Sequence, residues 1–268
     1  MNMKPKVGWT HRSLLFLLML YLLLPLVATG LYALATNWQT TILPESWTLN
    51  WFKDMFQDLR FLEALWTSFY LCLISVALSL VIMLPAVFVI TVYLPKLESF
   101  MKGLVVLPYA VPGVVAAVGL IRTYSSGPID IAGTAYILIG AYFVVVLPYM
   151  YQGIRNSLLT VSAVELLNAA EMLGAKRARA FVTIILPNIW PGVIISTLLS
   201  FSVLFGEFVV TNMLVGGHIH TIQVYLYQRV SESGHLASAI AISYFIFIMI
   251  LSTILMRLGR KMNGGTQG

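Results

Sequence analysis

At 268 residues, the chain is 59% hydrophobic and 10% charged, with a mean hydropathy of +0.90. Soluble domains run about 45–50% apolar and roughly 25% charged; so few charges cannot solvate a surface of this size, which excludes a soluble globular domain. The net charge of +6 comes from basic residues scattered along the chain, a pattern of membrane topology and not of nucleic-acid binding.

Met1–Arg12 is a short polar lead containing Lys4, Lys6, His11 and Arg12, and Leu14–Ala35 then runs without a charge. At 1.5 Å per residue that run crosses a hydrocarbon core about 30 Å thick. A basic start followed by Ala33-Leu34-Ala35 also suits a cleaved signal peptide. The apolar run exceeds the roughly 7–15 residues of a signal core, which favours an uncleaved first span. Asn37–Glu63 is polar and aromatic, and its Trp38, Trp47 and Trp51 suit a membrane–water interface. Ala64–Leu94 gives a second span, containing Cys72, the only cysteine and a small buried hydrophobe by its surroundings. After the turn Pro95–Glu98, a third span covers Phe100–Leu120. Tyr124–Asp130 reads as a tight loop, and a fourth span follows over Ile131–Tyr151. A polar insert within residues 155–187 separates it from Ile189–Val215. A loop with His218, His220, Arg229 and Glu232 then leads to Leu236–Met256.

These are six candidate spans in one domain over residues 1–268. Uninterrupted apolar runs, with no period-two alternation, choose a helical bundle over a closed barrel, so the fold class is an all-α membrane protein. With the N-terminus inside, twelve basic residues fall inside: Lys4, Lys6, Arg12, Lys96, Lys102, Arg155, Lys176, Arg177, Arg179, Arg257, Arg260 and Lys261. Only four, Lys53, Arg60, Arg122 and Arg229, fall outside. This bias predicts cytoplasmic termini and a cytoplasmic insert.

The insert, Ser162–Pro187, is the long polar interruption of the C-terminal half. Ser162-Ala163-Val164-Glu165 matches a capping box, in which Ser162 accepts from the third helical N–H and Glu165 reaches back to the serine N–H. Ala163, Leu166, Leu167, Ala170 and Leu173 then form an apolar stripe at helical spacing. Gly174 follows where helices commonly end in a left-handed residue. A second polar piece carries Lys176, Arg177 and Arg179, and Pro187 suits the first turn of the next span. An apolar stripe with no local core suggests a docking surface. The pattern equally allows an interfacial helix lying on anionic lipid.

Asn168-Ala169-Ala170, then Gly174, then Ile184-Ile185-Leu186-Pro187 resembles the EAA loop of permease subunits of ATP-binding-cassette importers, with that signature's spacing kept over 20 positions. Leu107–Gly113 (LPYAVPG) resembles the proline-rich start of that family's third span. Phe205-Gly206-Glu207-Phe208 resembles a fifth-span motif of its polyamine, phosphonate, thiamine and iron branches. The family's leading glutamate is Asn168 here, flanked by Glu165 and Glu171.

The resemblance implies a MetI-like six-helix permease whose cytoplasmic coupling helix seats in a cleft of a partner ATPase. Glu165, Asn168, Ala169, Ala170, Glu171, Gly174, Ala175, Lys176, Ile184, Leu186 and Pro187 would form that coupling region. Two ATPase subunits, a second permease (identical or related), an extracytoplasmic solute-binding protein and the lipid bilayer are the implied partners, with no nucleic acid. ATP and Mg would be bound by the ATPase, leaving this chain without a cofactor or catalytic residue.

Glu207 is the one acid inside a candidate span, and intramembrane carboxylates usually face a cavity or a partner. It reads as a pathway residue with Gly206, Tyr109 and Pro112, against the plainer reading of a helix-packing glutamate. His218 and His220 lack a third ligand nearby and read as loop polarity, not metal ligands. Gly206, Gly216, Gly217 and the prolines at 85, 108, 112 and 148 suit helix breaks or close helix packing. No Walker-type phosphate loop is present. A secondary transporter is the rival reading, and it calls for more intramembrane charge and for inverted repeats. The resemblance around Glu207 implies a small cationic or zwitterionic solute, a polyamine or aminophosphonate.

Overall fold

The computed structural model describes residues 9–38, 41–126 and 128–264, except for the side chains of 10, 11, 255 and 258–264. Lys4 and Lys6, and the side chains of His11, Arg260 and Lys261, therefore lie outside the described residues. The helices are α1 (Trp9–Leu34), α2 (Asn50–Gln57), α3 (Leu59–Val92), α4 (Glu98–Ala110), α5 (Gly113–Tyr124) and α6 (Ala135–Thr160). They continue as α7 (Ala163–Met172), α8 (Arg177–Ala180), α9 (Leu186–Phe205), α10 (Val209–Val215), α11 (Ile222–Val230) and α12 (Gly234–Gly264). A 3-10 turn, Pro95–Leu97, leads into α4, and a π-helical segment, Phe181–Ile185, joins α8 to α9. Among the described residues the only strand-like pairing is an isolated bridge between Ala35 and Trp47. The all-α class expected from the uninterrupted apolar runs is the one observed.

Among the described residues, five helices are long and apolar enough to cross a membrane: Arg12–Leu34, Leu59–Val92, Ala135–Thr160, Arg177–Phe205 and Gly234–Ile254. The sixth candidate is a pair, Pro95–Ala110 and Gly113–Tyr124, bent by 98°. The expected straight span Phe100–Leu120 is thus corrected to two half-helices. Val111 is extended (φ −99°, ψ 118°), as the residue before a proline tends to be, and Pro112 is extended too (φ −56°, ψ 135°). Two extended residues in succession turn the chain out of its helix. Of the two roles open to Pro85, Pro108 and Pro148, helix break or close packing, the break does not form, since each lies inside a continuous helix.

The expected span Ile189–Val215 is also corrected. It begins at Arg177, so the basic end of the insert continues into it, and α9 stops at Phe205. Pro187 does not open the span but sits at the start of α9 behind the π-helical segment. Proline has no N–H and its ring collides with the carbonyl four residues back, here Thr183; a wider turn accommodates both.

The chain clusters into two compact units, Met1–Phe61 with Leu226–Phe247, and Leu62–Tyr225 with Ile248–Gly268. In the first, the His235 ring stacks on Tyr32 and Trp51, with centroids 4.0 and 5.5 Å apart. His235 Nδ1–H donates to the Tyr32 carbonyl at 2.8 Å, and Arg229 is paired with Asp58 and Glu232. In the second unit, Cys72 is buried on α3 as expected, and Phe88 of α3 meets Phe181 with centroids 4.3 Å apart.

Candidate functional site: the loop-bearing hairpin and the helix breaks

The second unit is built around the crossing of α6 and α9, whose ends flank the polar insert. At Gly153, a Cβ would stand 2.2 Å from Ser196 Cβ; at Gly192, it would stand 1.8 Å from Ser157 Oγ and 2.9 Å from Ser157 Cβ. Each helix therefore offers a glycine to the other's serine, at spacing i, i+4 on both. Small residues at that spacing let two helix backbones approach closely. The sequence carried this signal as GIRNS and GVIIS on either side of the insert.

Between these helices, α7 lies against α8, the π-helical segment and the end of α6. Ala163, Leu167 and Ala170 are buried there, and Leu166 is half-buried. The apolar stripe expected to face a partner thus faces the protein's own hairpin, because the π-helical segment and α8 supply the local core. What remains outside is Met172 and Leu173, each 89% exposed, with Val164 45% exposed. The capping box does not form. Ser162 is left-handed (φ 49°, ψ 52°) and its side chain makes no cap bond; its carbonyl instead accepts from the N–H groups of Glu165 and Leu166. A capping serine needs an extended backbone to aim its hydroxyl at the helix.

The other end of α7 forms as expected. Gly174 takes a left-handed φ of +83°, Gly174 N–H donates to the Glu171 carbonyl at 2.9 Å, and Ala175 N–H donates to the Ala170 carbonyl at 3.0 Å. That pair of bonds is the Schellman closure. Across the turn, Arg177 Nε donates to Glu171 Oε1 at 2.6 Å, and the Arg177 guanidinium lies 5.2 Å from the Tyr93 ring centroid. Glu171 is therefore engaged within the chain. Glu165, Asn168, Ala169 and Lys176 are exposed, Ala175, Ile184 and Leu186 are half-buried, and Pro187 is exposed.

The residues expected along a pathway gather at two chain breaks. The first, at Val111-Pro112, and the second, at Gly206–Phe208, meet where α5 packs on α10: a Cβ at Gly113 would lie 3.3 Å from Val210. Tyr109, in the last turn of α4, is exposed and approaches Tyr149 edge-on at 6.1 Å. Glu207 Oε1 accepts from the Val210 N–H at 2.6 Å, so its carboxylate caps α10. Thr211 of α10 is hydrogen-bonded to Tyr142 of α6 at 2.7 Å. A cavity of about 590 Å³ adjoins the breaks, and its walls, including Val111, Gly113, Gly140 and Val210, are almost entirely apolar. Because an amide oxygen caps as a carboxylate does, Glu207→Gln should keep native thermal stability, while Glu207→Ala should lose about 1 kcal/mol. Equal losses in both would show that the charge, not the cap, holds the break.

Three similarities place this architecture among known proteins. The permease protein PhnV of Salmonella paratyphi A, named for a 2-aminoethylphosphonate transport system, is 26% identical over 255 residues, covering 93% of this chain and 94% of PhnV. The spermidine/putrescine transport system permease protein PotB of Haemophilus influenzae is 24% identical over 233 residues, 81% of each chain. A solved bacterial ABC transporter that imports alginate shares the fold, with a TM-score of 0.71 at 14% identity over 96% of this chain and 98% of that one. Residues 83–264 match the family described as binding-protein-dependent transport system inner membrane component, and the chain belongs to that family, the membrane-spanning permease subunits of ATP-binding-cassette importers.

Proposed function

We propose that this permease forms half of a solute pathway and that the turn closing α7 is where a partner ATPase engages it. The observation that carries the reading is the pair Met172 and Leu173, two adjacent large apolar side chains each 89% exposed at the end of α7. Isolated exposed apolar groups are ordinary, but two adjacent ones at a helix end beside Gly174 and Lys176 offer a compact knob for a partner's cleft. With the termini and the insert in the cytoplasm, two ATPases binding ATP and Mg would draw two such knobs together and switch the access of the pathway. A second permease, identical or related, supplies the other half, and an extracytoplasmic binding protein delivers the solute. The chain itself acts without catalysis.

The solute favoured is a small cation or zwitterion of the aminophosphonate or polyamine class, supported by the names of PhnV and PotB and by the carboxylate of Glu207 at the break. The cavity beside that break offers few polar contacts, so solute selection rests chiefly with the binding protein. Two measurements test this. An ATPase should copurify with the chain in mild detergent; its absence, with uptake intact, would favour a secondary transporter. The partner binding protein should be stabilised in a thermal-shift assay by 2-aminoethylphosphonate or spermidine, whereas a response to molybdate or ferric iron alone would overturn the solute class.

A further inference from the structure

Glu98 opens α4, and Arg155 lies on α6 between the crossing residues Gly153 and Ser157. Arg155 Nε donates to Glu98 Oε1 at 2.5 Å, and its Nη2 reaches the same oxygen. Lys102, one turn along α4, places Nζ 3.0 Å from that oxygen as well. The side chains of Glu98 and Arg155 are each 22% exposed, while Lys102 is 52% exposed. The half-buried bond is therefore the one between helices, and Lys102 adds a weaker, solvated contact.

The positions of these residues give the bond a mechanical consequence. From Arg155, α6 runs on without interruption to Thr160, and α7 starts at Ala163. The glycine–serine crossing leaves no slack between α6 and α9, so a push on α7 is delivered to the stretch that contains Arg155. On the other side, α4 leads from Glu98 to the bend at Val111-Pro112 and on to α5, which packs on α10 at the second break. We propose that the Glu98–Arg155 ion pair is a positioning contact that makes the bent α4–α5 pair follow α7, so that engagement by the ATPase moves the helices beside the cavity. This rests on the assignment of α7 as the ATPase-engaging element. Removing Glu98 leaves Arg155 without this bond, removing Arg155 leaves Glu98 only the solvated Lys102 contact, and either change frees the two segments to move separately.

The test uses the assembled importer in lipid nanodiscs, with spin labels on cysteines introduced at Val106 of α4 and Val164 of α7, in a Cys72→Ala background. Trapping with ATP and vanadate should leave the label separation unchanged in the otherwise native protein, because α4 follows α7. In Glu98→Gln and in Arg155→Gln, trapping should shift or broaden the separation. ATP hydrolysis by the complex should fall roughly 5-fold or more, while the ATPase still copurifies. Lys102→Gln should behave as native, and Glu98→Arg with Arg155→Glu should recover much of what either single change loses. Native label separation and native hydrolysis in both glutamine variants would overturn the proposal alone. A native chain that captures no ATPase would overturn it together with the reading of α7.

Discussion

Gly192→Ala should destabilise this protein by about 1–3 kcal/mol, and Ser157→Gly added to it should recover most of the loss. The added methyl would lie 1.8 Å from Ser157 Oγ and 2.9 Å from its Cβ, with only the Ser157 Cα, at 3.8 Å, left near it once that side chain is gone. Rotating the Ser157 side chain moves its Oγ but not its Cβ, which stays 2.9 Å away, so the backbones of α6 and α9 must part. The reciprocal pair behaves alike: Gly153→Ala meets Ser196 Cβ at 2.2 Å, and Ser196→Gly leaves the nearest atom, a Cα, at 3.4 Å. The measurement is the midpoint of thermal aggregation, followed by size-exclusion chromatography in detergent. Both alanine variants should fall below the native protein and both double variants should rise above their alanine parents. An alanine variant of native stability would mean the helices are not in contact as described.

Met172→Glu combined with Leu173→Glu should abolish copurification of the ATPase and leave the permease folded. Apolar anchors at an interface commonly contribute about 2–4 kcal/mol each, so losing both weakens association by roughly a thousandfold or more. Both side chains are 89% exposed, and surface substitutions of this kind usually alter stability by no more than about 0.5 kcal/mol. Leu167→Glu is the counterpart: it places a charge at a position 3% exposed between α7 and its hairpin and should prevent folding itself. An undiminished ATPase yield from the double glutamate variant would move the docking face to the exposed side bearing Asn168 and Ala169.

Much of this protein is legible in its sequence because lipid imposes its own rules. A long apolar run has to satisfy its backbone internally, which fixes helices, while the bounds of the spans read as Phe100–Leu120 and Ile189–Val215 came only with the fold. The turn at Gly174 was legible too, because a left-handed helix end strongly favours a residue without a Cβ. The spacing from Asn168-Ala169-Ala170 to Pro187 pointed to the family that the match over residues 83–264 then established.

Tertiary structure decided which of the prolines bend the chain and which face of α7 is free. Pro112 bends it because Val111 and Pro112 are both extended ahead of Gly113, while Pro85, Pro108 and Pro148 sit inside continuous helices. Of the stripe read from periodicity, Ala163, Leu167 and Ala170 are buried, Leu166 is half-buried and Leu173 is exposed, and periodicity could not say what would cover it. A helix buries its apolar face against whichever surface is nearest, and that surface is made by α8 and the π-helical turn forced by Pro187. The pairing of Glu98 with Arg155 lay equally out of reach, since charges 57 residues apart meet only after two helices have packed. Local chemistry, in short, wrote the helices and their ends into the sequence; contacts between distant segments selected the surfaces through which the permease can be moved.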